Sequence, residues 1–233
     1  MKYFVLCFFA LFVVNAHAEE NVPRNPLWEA YKDDNGKYVI PYVISGEYGE
    51  EKKVLFDMMD EIDRNTCVRF SPRTTEEDYI EIVNRLGEGC SAVVGKPGGK
   101  STVWLESSKI QSCLNPQTTM RELMHIVGLP LEHTRPERKG HIKIHWENIE
   151  KGYENQFALT SVEPDPYGIP YDYYSIMHLW KDAFAKPGTI TIETLNKKYQ
   201  DIIGHQKKPS KWDYKKICFM YKCDVCMGEK VEH

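Results

Sequence analysis

The stretch from Arg121 to Lys139, RELMHIVGLPLEHTRPERK, decides how the rest of the chain is read. A helix is predicted up to Val127. Asn115 and Thr118 are both N-cap types upstream, and Gly128 supplies the left-handed stop. On a helix, side chains four residues apart share a face. Two metal ligands so placed can grip one ion, and a Glu just after the first polarises its bound water. Glu122 and His125 stand at that spacing, and Gly128 lets the chain turn so that residue 131 can return to the same place. The first ligand position is nevertheless Arg121 and the third is Leu131. A guanidinium stays protonated and has no lone pair to give, and an alkyl chain has none either.

The residues that follow make the pattern specific. Glu132 comes directly after the third ligand position, then Arg135-Pro136-Glu137-Arg138 and Ile144-His145-Trp146-Glu147-Asn148-Ile149. Further on, Tyr171-Asp172-Tyr173-Tyr174-Ser175-Ile176-Met177-His178 forms a second block. Together these segments resemble the astacin family of zinc endopeptidases, a metzincin branch whose signature is H-E-x-x-H-x-x-G-x-x-H. Matches run in order from Val39 to Cys223, through Thr66–Phe70, Gly89–Ser91, Val94–Gly99, Gly204–Gln206 and Ile217–Cys223. The single-domain form resembles the hatching-enzyme branch.

The resemblance implies roles residue by residue. Glu122 would be a vestigial general base and His125 a vestigial ligand, insufficient alone. Met177 would be the methionine of the turn beneath the metal, and Leu179 stands where the family places a Tyr. Glu132 would receive the mature N-terminal ammonium. Cys67 would pair with Cys223 and Cys90 with Cys113. Cys218 and Cys226 fall outside that pattern: they are left to pair with each other, to stay free, or to bond intermolecularly.

Catalytic zinc sites use three protein ligands plus water. With Arg121, Leu131 and Leu179 at three metal or transition-state positions, no cofactor is expected; one Zn²⁺ is the alternative. His133, His141, His145 and His178 read as structural residues rather than replacement ligands. Arg121 is expected to fill the metal's volume and to pair with Glu122 or Glu132.

Outward from this site, the chain has ordinary globular composition, 42% hydrophobic and 27% charged, with net charge −4. Acidic residues (34) outnumber basic ones (30) and no basic stripe alternates with aromatics, which argues against nucleic acid. Lys2, the apolar run Tyr3–Val14 and Ala16-His17-Ala18 read as a signal peptide over 1–18, too short to span a bilayer. Cys7 lies within it, and the other six cysteines suit an oxidising compartment. The mature region is expected to begin near Arg24 or Trp28.

The fold expected is α+β: a metzincin-like, two-lobed domain over 19–226, with lobes of about 25–128 and 129–226 and a short tail 227–233. The first lobe would hold a twisted, mostly parallel sheet and two long helices. The second would be largely irregular with a last helix, Lys211–Met220, capped by Ser210. Strands are predicted at Lys37–Ile44, with Pro41 favouring an edge, at Val68–Phe70, Tyr79–Val83 and Val103–Leu105, and a helix at Glu50–Asp63. Gly87–Gly99 reads as loop.

Two functions are consistent with these residues. One is a secreted, monomeric pseudoprotease that binds an extracellular protein or peptide in the cleft between the lobes, with no nucleic acid or membrane partner. The other is a residual zinc endopeptidase with a rearranged metal site.

Overall fold

Alternating inward residues build the sheet on which the site rests. The computed structural model describes residues 27–160 and 168–231; the expected signal segment, Cys7 and the Arg24 start lie outside them. The elements of the first part are β1 (Tyr38–Ser45), α1 (Lys52–Asn65), β2 (Val68–Pro72), β3 (Tyr79–Val83), β4 (Cys90–Ser91), β5 (Lys100–Leu105) and α2 (Pro116–Val127). The sheet order is β2-β1-β3-β5-β4, parallel except for the antiparallel β4–β5 pair. Ile80 and Ile82 of β3 point into the core, while Glu81 between them faces out to Ser45 and Lys100.

β1 is an interior strand, which corrects the edge position expected from Pro41. Its register explains the tolerance. β2 pairs with Tyr38–Tyr42 and β3 with Tyr42–Ser45. The Tyr38 amide and the Tyr42 carbonyl bond on the β2 side, whereas the Val39 amide turns the other way to Tyr31. Pro41 shares the side of Val39, one residue before the β3 ladder starts, so its missing N–H costs no bond. Cys90–Ser91 is a second correction: a short strand within the expected loop.

Helices α1 and α2 pack on this sheet through Leu55, Met59, Ile62, Met120, Leu123, Met124 and Val127. Asn115 is the cap of α2, accepting from the Thr118 amide at 3.0 Å. Gly128 closes it at φ +121°, where a Cβ would meet Met220 Cε at 2.9 Å. Trp28, 1% exposed, donates its indole N–H to Ile126 O at 2.8 Å and fixes the chain entry to α2.

The second part contains β6 (Ile142–Ile144), β7 (Ile192–Thr194), α3 (Lys211–Met220), β8 (Val225–Cys226) and β9 (Glu229–Lys230). β6 and β7 form an antiparallel ribbon over a second core of Phe157, Tyr171, Leu179, Ala183, Ile192 and Ile203. α3 begins with a reciprocal cap between Ser210 and Asp213 and packs into the first core through Tyr214, Ile217 and Tyr221. Glu229–Lys230, within the expected tail, pair with Val225–Cys226 of the domain as the β8–β9 hairpin. Disulfides join Cys67 to Cys223, Cys90 to Cys113 and Cys218 to Cys226. No helix among the described residues is long and apolar enough to cross a membrane.

Candidate active site

Arg121 and His125 lie one turn apart on the less buried face of α2, while Glu122 beside them is buried. The helix is aimed by its opposite face, where Met120, Leu123, Met124 and Val127 are each at most 1% exposed. The loop before β5 covers its end: the Gly95 amide donates to His125 O at 2.8 Å.

His125 is held as a ligand would be. Nδ1 is 2.8 Å from Leu129 O. A carbonyl only accepts, so Nδ1 carries the proton and Nε2 keeps the lone pair. Burial pushes its pKa down to about 4, which keeps the ring neutral. Glu122 accepts from the Ala92 amide; burial pushes its pKa up to about 7, opposed by the charge of Arg121.

Arg121 departs from the expected ion pair. Its Nε donates to Ile176 O at 3.0 Å and Nη2 to His178 O at 3.4 Å. It forms no salt bridge with Glu122 or Glu132. The guanidinium therefore ties α2 to the turn Ser175–His178 through backbone carbonyls.

That turn is locked from beneath by Asp213. Its carboxylate accepts from Ser175 Oγ at 2.5 Å and from the Ile176 and Ser210 amides at 3.0 and 2.8 Å. The Glu132 amide donates to Met177 O at 2.9 Å, and Met177 itself is 1% exposed in the first core. Gly204 leaves room beside the turn: at φ +77°, a Cβ there would sit 2.2 Å from the Trp180 nitrogen.

Glu132, 1% exposed, is occupied from within the chain. One oxygen accepts from Arg135 Nη1 at 2.9 Å and the Asp172 amide at 2.7 Å; the other accepts from Lys216 Nζ of α3. Burial raises its pKa, but Lys216 and Arg135 more than offset this and hold it below the ordinary carboxylate range. Of the two starts expected for the N-terminus that would meet Glu132, Arg24 lies outside the described residues, while the Trp28 amide donates to the Tyr221 hydroxyl at 3.2 Å. Neither Lys216 nor Asp213 belongs to a motif that marks it as a site residue. The Ser210-x-x-Asp213 spacing was the available signal for the aspartate.

Leu131 is half-buried and Leu179 is 5% exposed in the second core, an alkyl packing residue where a phenol would reach toward a metal. His133 and His178 are fully buried and neutral. His133 Nε2 donates to Gln156 O, and His178 Nδ1 donates to Leu179 O while Nε2 accepts from Tyr171. His145 sits between Glu147 and Glu193, and His141 stacks on Tyr171.

Residues 29–222 match the family model of the Astacin peptidases. The chain is 45% identical over 209 residues to zinc metalloproteinase nas-5 of Caenorhabditis elegans, covering 88% of this chain and 58% of that one. It is 35% identical to the low choriolytic enzyme of Oryzias latipes, covering 82% and 68%. The solved structure of high choriolytic enzyme 1, a hatching enzyme zinc-protease from the same fish, superposes with TM-score 0.75 at 33% identity, covering 85% of this chain and 95% of that one. The chain spans a little over half the length of the nematode relatives nas-5 and nas-6.

These relatives correct the expectation of a chain without a cofactor: they are named zinc metalloproteinases, so the family implies Zn²⁺. The side chains at the three positions do not fit a zinc held in the family's way. Arg121 is a cation bonded to carbonyls, Leu131 has no donor atom, and His125 Nε2 is the single lone pair among the three. No group of three or more His, Cys, Asp or Glu among the described residues could hold a metal ion. The ordered matches, the parallel sheet over α1 and α2, and the turn under Arg121 place the chain in the astacin family of peptidases.

Proposed function

We propose that this chain is a secreted astacin-family protein that has lost peptide hydrolysis at this site and binds an extended protein or peptide segment there as a monomer. The bonds from Arg121 to Ile176 O and His178 O carry this reading. They make the first ligand position a strut between α2 and the turn, and a strut of positive charge repels a divalent cation. Glu122 then has no polarised water to deprotonate. Leu179, packed in the second core, contributes no phenol to stabilise a tetrahedral oxyanion.

Secretion is supported by three disulfides in a chain of this size and by the leader-like composition of residues 1–18. The test is incubation of the pure protein with a peptide library in added zinc, with products read by mass spectrometry. Intact peptides retained by the protein support the reading. Cleavage that a chelator abolishes would overturn it in favour of a rearranged metal site.

A further inference from the structure

The Arg121 guanidinium has more N–H donors than the two carbonyls use. Nε and Nη2 are engaged, whereas Nη1 has no partner among the described residues and is not among the enclosed, unpartnered polar atoms. The cation also lacks an ion-pair partner among the described residues, although Glu122 is its neighbour in sequence. Glu122 turns to the Ala92 amide instead. Beyond Ala92 stand two exposed hydrophobics, Val93 and Val94, at 52% and 38%. The half-buried Leu131 follows α2 by a few residues. An anchored cation with an open donor therefore adjoins Glu122, whose bond to the Ala92 amide brings the segment carrying Val93 and Val94 to the immediate neighbour of Arg121.

We infer that this site is a carboxylate receptor, in which the Arg121 guanidinium takes the carboxylate of a bound peptide. The inference rests on the binding reading above and specifies its ligand. A planar carboxylate matches the fork of a guanidinium, and the charge-assisted bond is stronger in a partly dry site. The two carbonyls hold the side chain in place, so little further ordering is lost on binding. Two sources share this chemistry: the C-terminal carboxylate of a peptide and an Asp or Glu side chain within one. Glu122, as a second negative group nearby, works against either.

The experiment retains random octapeptide libraries on the immobilised full chain. One pair of libraries differs only in a free or amidated C-terminus. A second, amidated pair carries Glu or Gln at a fixed central position. At least one carboxylate form should be retained about tenfold more strongly than its amide twin. The pair that shows the difference identifies the source. Arg121→Gln should abolish the preference and Glu122→Gln should enlarge it. Equal retention of both forms, no retention of any peptide, or a preference that survives Arg121→Gln would overturn the inference. Should Arg121→Gln fail to fold, Glu122→Gln decides: an unchanged preference overturns it. Shortened peptides in the eluate would instead overturn the binding reading, whereas equal retention of intact peptides removes the carboxylate assignment alone.

Discussion

Arg121 Nε donates to the backbone carbonyl of Ile176 across 3.0 Å, joining two segments 55 residues apart in the chain. Arg121 thereby acts as a tertiary brace between α2 and the turn Ser175–His178. Truncation to Ala leaves two carbonyls without their charged donor and should cost about 1–3 kcal/mol in urea unfolding. An unchanged midpoint would remove the brace from the account.

Glu132 is the second brace. Its side chain is 2% exposed, and its partners Arg135 and Lys216 are 7% and 12% exposed. Replacing Glu132 with Gln leaves the sequestered Lys216 without its ion-pair partner and Arg135 with Glu137 alone, and a loss of about 3 kcal/mol is expected. Lys216→Met should cost less than Glu132→Gln, because Arg135 and the Asp172 amide still satisfy the carboxylate. Equal losses would show that Arg135 contributes nothing.

Much of this fold was legible because its signals are local. Ser210 capped α3 where expected, since the cap and its reciprocal Asp213 lie three residues apart. β3 followed from β-branched alternation within five residues. The β6–β7 ribbon was not legible: each strand is three residues long and the partners lie some fifty residues apart. The position of Pro41 misled because strand order is a property of the sheet, and the offset between the β2 and β3 ladders is invisible in a dipeptide. At the site, Arg121 and Leu131 stand in plain view where the family signature has two histidines. The carbonyls that hold Arg121 were not legible, because backbone acceptors leave no trace in residue identity. Lys216 was likewise hidden, 84 residues from Glu132.

Acid should destabilise the protein from near neutrality. Burial lowers the pKa of His178 to about 4 and of His133 to about 3. A neutral histidine buried this way contributes its full stability above pH about 6.5 and loses it as pH falls toward the folded-state value, roughly 3 kcal/mol for His178. Asp213 acts in the opposite sense. Burial raises its pKa to about 6, so the native state gains a proton first and is favoured as pH falls from about 6 to about 4. His125, lowered to about 4, adds a third histidine in the same sense, and Glu122, raised to about 7, joins Asp213 in opposing it. Three histidines outweigh two carboxyls, and the melting temperature should fall between pH 7 and pH 5. His178→Gln should flatten that slope and Asp213→Asn should steepen it. A flat profile in the wild type would contradict the assignment.

The disulfides should differ in weight. Cys67–Cys223 closes a separation of 156 residues and Cys218–Cys226 one of 8. Loop-closure entropy assigns roughly 5 kcal/mol to the first and roughly 2.5 kcal/mol to the second. Paired Cys→Ala replacements followed by chemical unfolding should rank them in that order. A larger loss from the Cys218–Cys226 pair would show that the β8–β9 hairpin stabilises the native state beyond chain closure.

Peptide cleavage in added zinc tests the loss of hydrolysis most directly, with the wild type compared with Glu122→Gln and with the double variant Arg121→His, Leu131→His. The wild type should show no chelator-sensitive cleavage above the Glu122→Gln background, and the double variant should gain it. Chelator-sensitive cleavage by the wild type that disappears in Glu122→Gln would contradict the account.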